Sequence, residues 1–289
     1  MDFAAFLLTQ CVNALSQAAL LFFLGVGLTL IFGIMRIVNF AHGSLYMLGA
    51  FVGYTLVRLT GNFWIALLIA PVLVGAFGGV FEYAILRRLY RRDGSAFLMV
   101  TFGLALMLGD GIRLLWGSEA LQVPLPDVFS GVVFLLDEPF PSYRLFLAAA
   151  GVIVAVTIWQ FLERTRLGLL IRATSQNAEM VHALGVDVRL VRSAVFGIGC
   201  ALAAVGGVLA APLVTASLGM AATVIIDAFV IVIIGGMGSF LGSLIGALLV
   251  AFVQVFGNYY FPDLALAFMY LIMLLVLVVR PGGLLGKEA

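Results

Sequence analysis

Apolar stretches of about 20 residues recur along the whole chain, and an α-helix needs a stretch of this length to cross a lipid bilayer. In hydrocarbon, only α-helices and closed β-barrels satisfy all of their backbone hydrogen bonds. Hydrophobic residues make up 64% of the sequence and charged residues 10%, a composition far outside the range of soluble domains. We therefore predict one all-α domain over residues 1–289, a polytopic integral membrane bundle of about eight or nine spans.

Breaks in the apolar pattern set the limits of the predicted spans. The long spans are predicted at residues 12–34, 43–60, 63–86, 96–116, 143–162, 193–212 and 264–279, with two shorter apolar pieces at 223–234 and 243–256. The first short piece cannot cross a bilayer unless it begins near residue 216, so broken or half helices are expected. Residues 117–142 contain four prolines, four acidic residues and no basic residue, which predicts a long loop.

The basic residues predict the orientation in the membrane. If every span crosses once, 12 of the 15 basic residues fall on one side: Arg36, Arg87, Arg88, Arg91, Arg92, five arginines of residues 163–192, Arg280 and Lys287. Loops rich in lysine and arginine stay in the cytoplasm. The positive side and the C-terminus are therefore predicted to be cytoplasmic, and the N-terminus periplasmic.

A charged stretch, residues 163–192 and hereafter the polar segment, lies between two apolar spans. Ser175 is a plausible helix N-cap, Glu179 lies near the first turn, and Gly185 suits the position after a helix C-terminus. One apolar stripe would be formed by Met180, Val181, Leu184 and Val188. This pattern predicts a surface helix of about nine residues, roughly 13 Å long; the alternative is an ordinary solvated loop.

Ionisable residues within the spans are candidates for function because they are costly in a membrane. Asp227 has no obvious partner, lies near the outer part of a short segment, and is a candidate for the translocation path. Asp110 and Arg113 are three residues apart and can pair on one helix, which would give them a structural role. Glu82 is predicted to reach the inner edge of the membrane together with Arg87.

Two polar or glycine-rich breaks interrupt the spans and are further candidates for the path. The first contains Asn39, His42 and Gly43, and the second contains Gly235 and Gly236. Broken helices in two halves of a transporter can mark a central path, whereas the favoured interpretation of the first break is a simple polar cap at the cytoplasmic edge. Neither break carries a set of ligands at metal spacing, so no metal site is predicted.

Several function classes are excluded by what the sequence lacks. A net charge of +1 does not indicate nucleic-acid binding, and no arrangement of a nucleophile and a base predicts an enzyme. The tail contains the single lysine, Lys287, but its glycine spacing is too short for a phosphate loop, and Glu288 follows the lysine where such a loop has Ser or Thr. Cys11 and Cys200 lie in separate apolar runs, so a disulfide is not expected.

Residues 27–51, GLTLIFGIMRIVNFAHGSLYMLGAF, closely resemble the first membrane signature of LivH-type permeases, the membrane subunits of branched-chain amino acid ABC importers. The polar segment resembles the cytoplasmic coupling segment of that family, although Val181 stands where the family usually has alanine. The matching positions in it are Gly168, Arg172, Ala173, Asn177, Met180, Leu184, Gly185, Val186 and Val188. Residues 232–239 and the C-terminal Arg280, Pro281, Gly283 and Leu284 also fit the family.

The resemblance implies a bacterial inner-membrane permease that moves branched-chain or related amino acids. Its expected partners are a second related permease, two cytoplasmic ATPases that bind ATP and Mg²⁺, a periplasmic binding protein and the lipid bilayer; no cofactor is expected in this chain. The residues expected to couple it to an ATPase are Arg172, Ser175, Asn177, Glu179, Met180, Leu184 and Gly185. Two alternatives stay open: an importer of the same class for urea, short amides or aromatic acids, and a stand-alone ion-coupled transporter.

Overall fold

The computed structural model describes residues 3–286 apart from Arg91, Asp93 and Asp137. The predictions that concern Arg91, Asp137, Lys287 and Glu288 therefore lie outside the described residues. Within the described part, the α-helices are α1 Phe3–Met35, α2 His42–Thr60, α3 Phe63–Ala84, α4 Gly94–Trp116, α5 Ser142–Arg164, α6 Arg166–Gln176, α7 Ala178–Ala183, α8 Val188–Val214, α9 Met220–Gly235, α10 Phe240–Tyr260 and α11 Ala265–Val279. The predicted all-α membrane bundle is confirmed.

Seven of these helices are long and apolar enough to cross a membrane. They are α1, α4, α5, α8, α10, α3 with the 3₁₀ turn Leu86–Leu89, and α11 with the 3₁₀ turn Pro262–Leu264. Outside these seven, α2 has 19 residues and α9 has 16. At 1.5 Å per residue, α9 is about 24 Å long and falls short of the hydrocarbon core, as predicted.

The prediction that α10 is a short piece was wrong, because the helix has 21 residues. The helix extends beyond the predicted residues 243–256 by three residues at its start and four at its end. Ser239 caps this start, since its Oγ accepts a hydrogen bond from the backbone N–H of Gly242 at 3.1 Å. The cap stabilises a first turn that contains Gly242 and Ser243, two residues of low helix propensity.

The centre of the bundle is formed by α1 and α8, the most buried of the seven long helices. Small residues allow the neighbouring helices to approach them closely. A Cβ atom on Gly78 of α3 would overlap the Cys200 side chain of α8, and one on Gly207 of α8 would overlap the Tyr46 carbonyl of α2. Helices in a membrane associate through such close packing, because the surrounding lipid is as apolar as their side chains.

Most of the basic loops meet at one end of the bundle, hereafter the basic end. There the Tyr90 hydroxyl lies 3.9 Å from Met35 Sδ at the end of α1. Arg87 Nη2 donates a hydrogen bond to Ser193 Oγ at 3.0 Å, next to the polar segment. The predicted clustering of basic loops on one side is therefore present in the structure, while the orientation itself stays a prediction.

The chain after α11 folds back onto the end of α9, also at the basic end. The backbone N–H groups of Leu284 and Leu285 donate to the carbonyls of Ile234 and Gly235 at 2.8 and 3.0 Å. These carbonyls belong to the last turn of α9 and have no acceptor role within the helix. The folded-back chain thus completes the hydrogen bonding of α9.

The predicted loop 117–142 contains more structure than the sequence indicated. A 3₁₀ turn at Asp127–Phe129 precedes a β-hairpin of β1 Val132–Leu135 and β2 Glu138–Pro141, with Val132 opposite Pro141. The prolines of this loop disfavour β-strands, but a two-stranded hairpin consists only of edge strands, which tolerate proline. Leu121 also forms a β-bridge with Ala216, which ties this loop to the connection between α8 and α9.

Candidate functional site

The polar segment contains two short helices, α6 and α7, rather than one. Asn177 separates them in an extended conformation, with φ −152° and ψ 94°. Its Oδ1 accepts a hydrogen bond from the backbone N–H of Met180 at 2.9 Å, so Asn177 is the N-cap of α7. The prediction of Ser175 as the N-cap was wrong: Ser175 lies in the last turn of α6, where its hydroxyl donates to the Arg172 carbonyl at 2.8 Å.

The C-terminal end of α7 is formed as predicted. Gly185 has φ +85°, a conformation that disfavours side chains, and its N–H donates to the His182 carbonyl at 3.0 Å. Two residues later, Asp187 Oδ1 accepts from the backbone N–H of Arg189 at 2.9 Å and caps α8. The chain therefore passes from α7 into α8 through a short connection with defined hydrogen bonds.

The predicted apolar stripe divides between the core and the surface. Val181 and Val188 are buried, whereas the side chains of Met180 and Leu184 are 59% and 76% exposed. Glu179 is also exposed. These three exposed residues make α7 a projecting knob with an apolar tip, a shape suited to docking in a groove of another protein.

Contacts with α5 fix α6 to the membrane helices. Gly168 lies so close to the Phe161 and Leu162 carbonyls that a side chain would overlap them. Arg172 forms a salt bridge with Glu163, 2.5 Å between Nη1 and Oε2. Because both side chains are largely exposed, this pair adds little stability. Arg172 therefore forms an ion pair within the chain, whereas the sequence predicts that it contacts an ATPase.

The break before α2 lies deeper in the bundle than the sequence indicated. His42 Nε2 donates a hydrogen bond to the Leu24 carbonyl of α1 at 3.0 Å. Leu24 precedes Met35, the last residue of α1, by eleven residues, which is about 16 Å along the helix. The interpretation of this break as a cap at the cytoplasmic edge is therefore wrong, since α2 begins well inside the bundle.

The chain between α1 and α2 is non-helical at membrane depth. Asn39 is fully buried, and its Oδ1 accepts a hydrogen bond from the Ala41 backbone N–H at 3.1 Å. The Phe40 N–H is 3.3 Å from Thr101 Oγ1 of α4. Asn39 Nδ2 and His42 Nδ1 are buried without a hydrogen-bond partner among the described residues. Non-helical backbone at this depth is tolerated where protein covers it or where it lines a cavity.

Gly43 brings α2 directly against α9. A Cβ atom on Gly43 would overlap the Ala221 carbonyl and Ile225. Asp227 lies two residues beyond Ile225, in the middle of α9 rather than near its outer end, and it has a partner: Gln254 Nε2 of α10 donates to its Oδ1 at 3.3 Å. The predictions that Asp227 lies near the outer part of its segment and has no partner were therefore wrong. Asp227 is bonded to Gln254 of α10, whereas Gly43 of α2 packs against Ala221 and Ile225 of α9.

Gly235 and Gly236 lie apart from the other candidates for the path. They end α9 at the basic end, eight and nine residues after Asp227, about 12–14 Å away along the helix axis. Gly236 has φ +101° and packs against the folded-back chain near Gly282. The structure therefore separates the predicted path residues into three places: the break before α2, the middle of α9 and the end of α9.

Comparison with known proteins identifies the family. The family of permease components of branched-chain amino acid transport systems matches residues 10–277. The chain belongs to this permease family. The predicted resemblance to LivH-type permeases is thereby confirmed.

The permease is similar to curated relatives over nearly its full length. It is 31% identical to the high-affinity branched-chain amino acid transport system permease protein BraD of Pseudomonas aeruginosa, over 97% of this chain and 96% of BraD. It is 28% identical to LivH of Escherichia coli, over 98% of this chain and 96% of LivH. A second permease protein of Escherichia coli, LivM, is 26% identical over 91% of this chain and 67% of LivM.

Two predictions for charged residues of the permease were wrong. Asp110 and Arg113 do not pair: both are exposed on the outer side of α4, and the one salt bridge among the described residues joins Arg172 to Glu163. Glu82 lies at the basic end but does not extend into water, because it is fully buried and accepts hydrogen bonds from the hydroxyls of Tyr90 and Ser193. Nothing in the spacing of these residues indicated that α3 and α8 would bring Glu82 and Ser193 together.

Proposed function

We propose that the permease is the membrane-spanning subunit of a binding-protein-dependent ABC importer, which moves branched-chain amino acids across a bacterial inner membrane. The observation that carries this proposal is the similarity to BraD and LivH over nearly the whole chain. ATP and Mg²⁺ are bound by two separate cytoplasmic ATPase subunits, and a periplasmic binding protein delivers the amino acid.

The projecting helix α7 is the proposed contact with an ATPase. Glu179, Met180 and Leu184 are exposed on it and supply one charged and two apolar groups for a groove. Asn177 and Gly185 shape its two ends. Arg172 and Ser175 support this contact indirectly, because they form their hydrogen bonds at the corner between α5 and α6.

A second, related permease completes the proposed membrane unit. The similarity to LivM supports a pair of homologous subunits rather than a single chain. In the proposed orientation the basic end faces the cytoplasm, where the ATPases bind to α7. The N-terminal end of α1 and the hairpin of β1 and β2 face the periplasm and the binding protein.

The proposed translocation path follows the contact between α2 and α9. Asn39, His42 and Gly43 lie at the start of α2, and polar atoms of the first two are buried without a partner in the part of the chain that the structure describes. Buried polar atoms are normally hydrogen-bonded, so these atoms are candidates to meet a solute when the helices separate. Asp227, Gly235 and Gly236 belong to α9, which we propose as the moving wall of the path.

Uptake by purified components tests the proposed function. Proteoliposomes that contain the permease, the second permease and both ATPases should accumulate labelled leucine, isoleucine or valine only with internal ATP and the ligand-loaded binding protein. The matched control carries an ATPase variant that lacks its phosphate-loop lysine, and it should show no uptake.

Two results would contradict the proposal in different ways. Uptake by the permease alone, driven by an ion gradient, would identify a stand-alone secondary transporter. ATP-dependent uptake of urea, a short amide or an aromatic acid in preference to leucine would keep the importer class and change the substrate.

A further inference from the structure

A buried carboxylate connects three separate parts of the basic end. Glu82 lies near the end of α3 and is fully buried. Its Oε1 accepts a hydrogen bond from the Tyr90 hydroxyl, in the connection to α4, and its Oε2 accepts one from the Ser193 hydroxyl, in the second turn of α8. We call these residues together with Arg87 and Arg192 the Glu82 cluster.

Two arginines place positive charge around this carboxylate. Arg87 Nη2 donates to Ser193 Oγ at 3.0 Å, and the Arg87 guanidinium lies 4.4 Å from the centre of the Tyr83 ring. The guanidinium of Arg192 lies 4.5 Å from the centre of the Tyr90 ring. A buried carboxylate is retained in proteins when hydrogen bonds and opposite charges compensate its desolvation. The Glu82 cluster provides both.

The Tyr90 hydroxyl is a permanent donor in this cluster. Burial, and next the hydrogen bond to the Glu82 carboxylate, raise the pKa of Tyr90 far above its ordinary value. The hydroxyl therefore keeps its proton at every physiological pH, and the bond to Glu82 is always available. Tyr90 also stacks on Phe97 of α4 and reaches Met35 of α1, so it ties further helices to the carboxylate.

The first turns of α8 connect the cluster to α7. Helix α8 begins at Val188, immediately after the Asp187 cap that follows α7, and Ser193 is five residues further along. Glycines bring α8 close to α3: Gly75 lies against Gly197, and Gly78 against Cys200. These contacts form a continuous connection from α7 through α8 and Glu82 to α3 and to the chain before α4.

We propose that Glu82 is a positioning residue that transmits movement of α7 to α3 and thereby couples ATP hydrolysis to transport. This proposal rests on the proposed function, because it requires that α7 contacts an ATPase. Glu82 does not touch the transported solute in this proposal, since its carboxylate is fully buried and bonded to Tyr90 and Ser193. When the charge of Glu82 is removed, we expect the importer to hydrolyse ATP without moving the amino acid. We do not expect the ATPase to become inactive.

The test measures the ratio of ATP hydrolysed to amino acid imported in the fully assembled importer. Glu82→Gln keeps the shape of the side chain, and Tyr90→Phe removes one donor to it. We expect both variants to keep hydrolysing ATP while uptake falls, which raises the ratio by roughly fivefold or more, as expected for the loss of a typical coupling free energy. ATP hydrolysis should also lose part of its stimulation by the ligand-loaded binding protein.

Tyr143→Phe is the matched control for Tyr90→Phe. Tyr143 also donates from a buried hydroxyl to an acceptor in a neighbouring helix, the Leu209 carbonyl of α8 at 2.7 Å, but it lies at the far end of α8 from the polar segment. This control should lower thermal stability without a change in the ratio.

Three outcomes are separable. A wild-type ratio in both Glu82→Gln and Tyr90→Phe overturns the proposal. It is equally overturned if these variants and Tyr143→Phe lose uptake and hydrolysis in parallel with the amount of assembled complex, because the cluster would then serve stability alone. The wild-type complex in the same assay tests the proposed function independently, with uptake of the binding protein's own ligand as the measure.

Discussion

At the scale of single residues, the position of the knob depends on one side-chain oxygen. Asn177 Oδ1 accepts the Met180 N–H, while the Asn177 N–H donates to the Ala173 carbonyl at 3.0 Å. The same residue therefore ends α6 and begins α7. With only six residues, α7 cannot be stable by itself, so its cap and its contacts with α6 and α8 must hold it.

Replacement of this cap should weaken attachment of the ATPases. Asn177→Ala removes the acceptor at a cost of about 1 kcal/mol, and Asn177→Pro also removes the bond to Ala173 and forces φ away from −152°. Asn177→Asp keeps the acceptor and is the matched control. We expect co-purification of the ATPases to fall in the order Asp, Ala, Pro; equal attachment in all three variants would show that the cap has no role in docking.

The residue scale also shows what a sequence can and cannot reveal about this site. Gly185 was predicted because a left-handed position is a local requirement that glycine meets best. Ser175 and Asn177 are both good caps two residues apart, and the choice between them depends on how far α6 extends. The surroundings of Glu82 could not be predicted because its hydrogen-bond partners, Tyr90 and Ser193, are 8 and 111 residues away in the chain.

At the scale of elements, the helices begin and end at different depths. α2 starts next to Leu24, about 16 Å from the end of α1 along its axis, and α9 has only 16 residues. Length and apolar composition located most spans within a few residues. They could not reveal that α2 starts inside the bundle, because that depends on the bond between His42 and Leu24.

The orientation of these elements can be tested with an impermeant thiol reagent on intact spheroplasts. In a variant that lacks Cys11 and Cys200, cysteines in place of Ser118 and Ser130 should react, because both serines are at the end opposite the basic end. A cysteine in place of Leu184, whose side chain is 76% exposed on the knob, should react only after the membrane is permeabilised. The reverse pattern would invert the proposed topology.

At the scale of the whole molecule, glycine contacts determine which helices are neighbours. α8 approaches α2 at Gly207 and α3 at Gly78 so closely that a methyl group does not fit. The composition predicted tight packing in general, but it did not indicate which of the 33 glycines are at contacts. Gly103, for example, has open space where its Cβ would be.

Alanine substitution should distinguish these two kinds of glycine. Gly207→Ala pushes a methyl group into the Tyr46 carbonyl, and backbone cannot yield cheaply, so a loss of about 1–3 kcal/mol is expected. Gly103→Ala, also within a helix, should be neutral or stabilising by about 0.5–1 kcal/mol. Thermal unfolding in lipid nanodiscs measures both; similar melting temperatures for the two variants would refute the close packing of α8 on α2.

The hydrogen bonds from Leu284 and Leu285 to the end of α9 have a consequence for biogenesis. The ribosome adds Ile234 and Gly235 some fifty residues before Leu284 and Leu285. The carbonyls of Ile234 and Gly235 therefore lack these hydrogen-bond donors while α10 and α11 are synthesised. Insertion can therefore proceed helix by helix, but maturation of α9 is delayed until the chain beyond Arg280 has emerged. Until then the end of α9 lacks these two backbone hydrogen bonds.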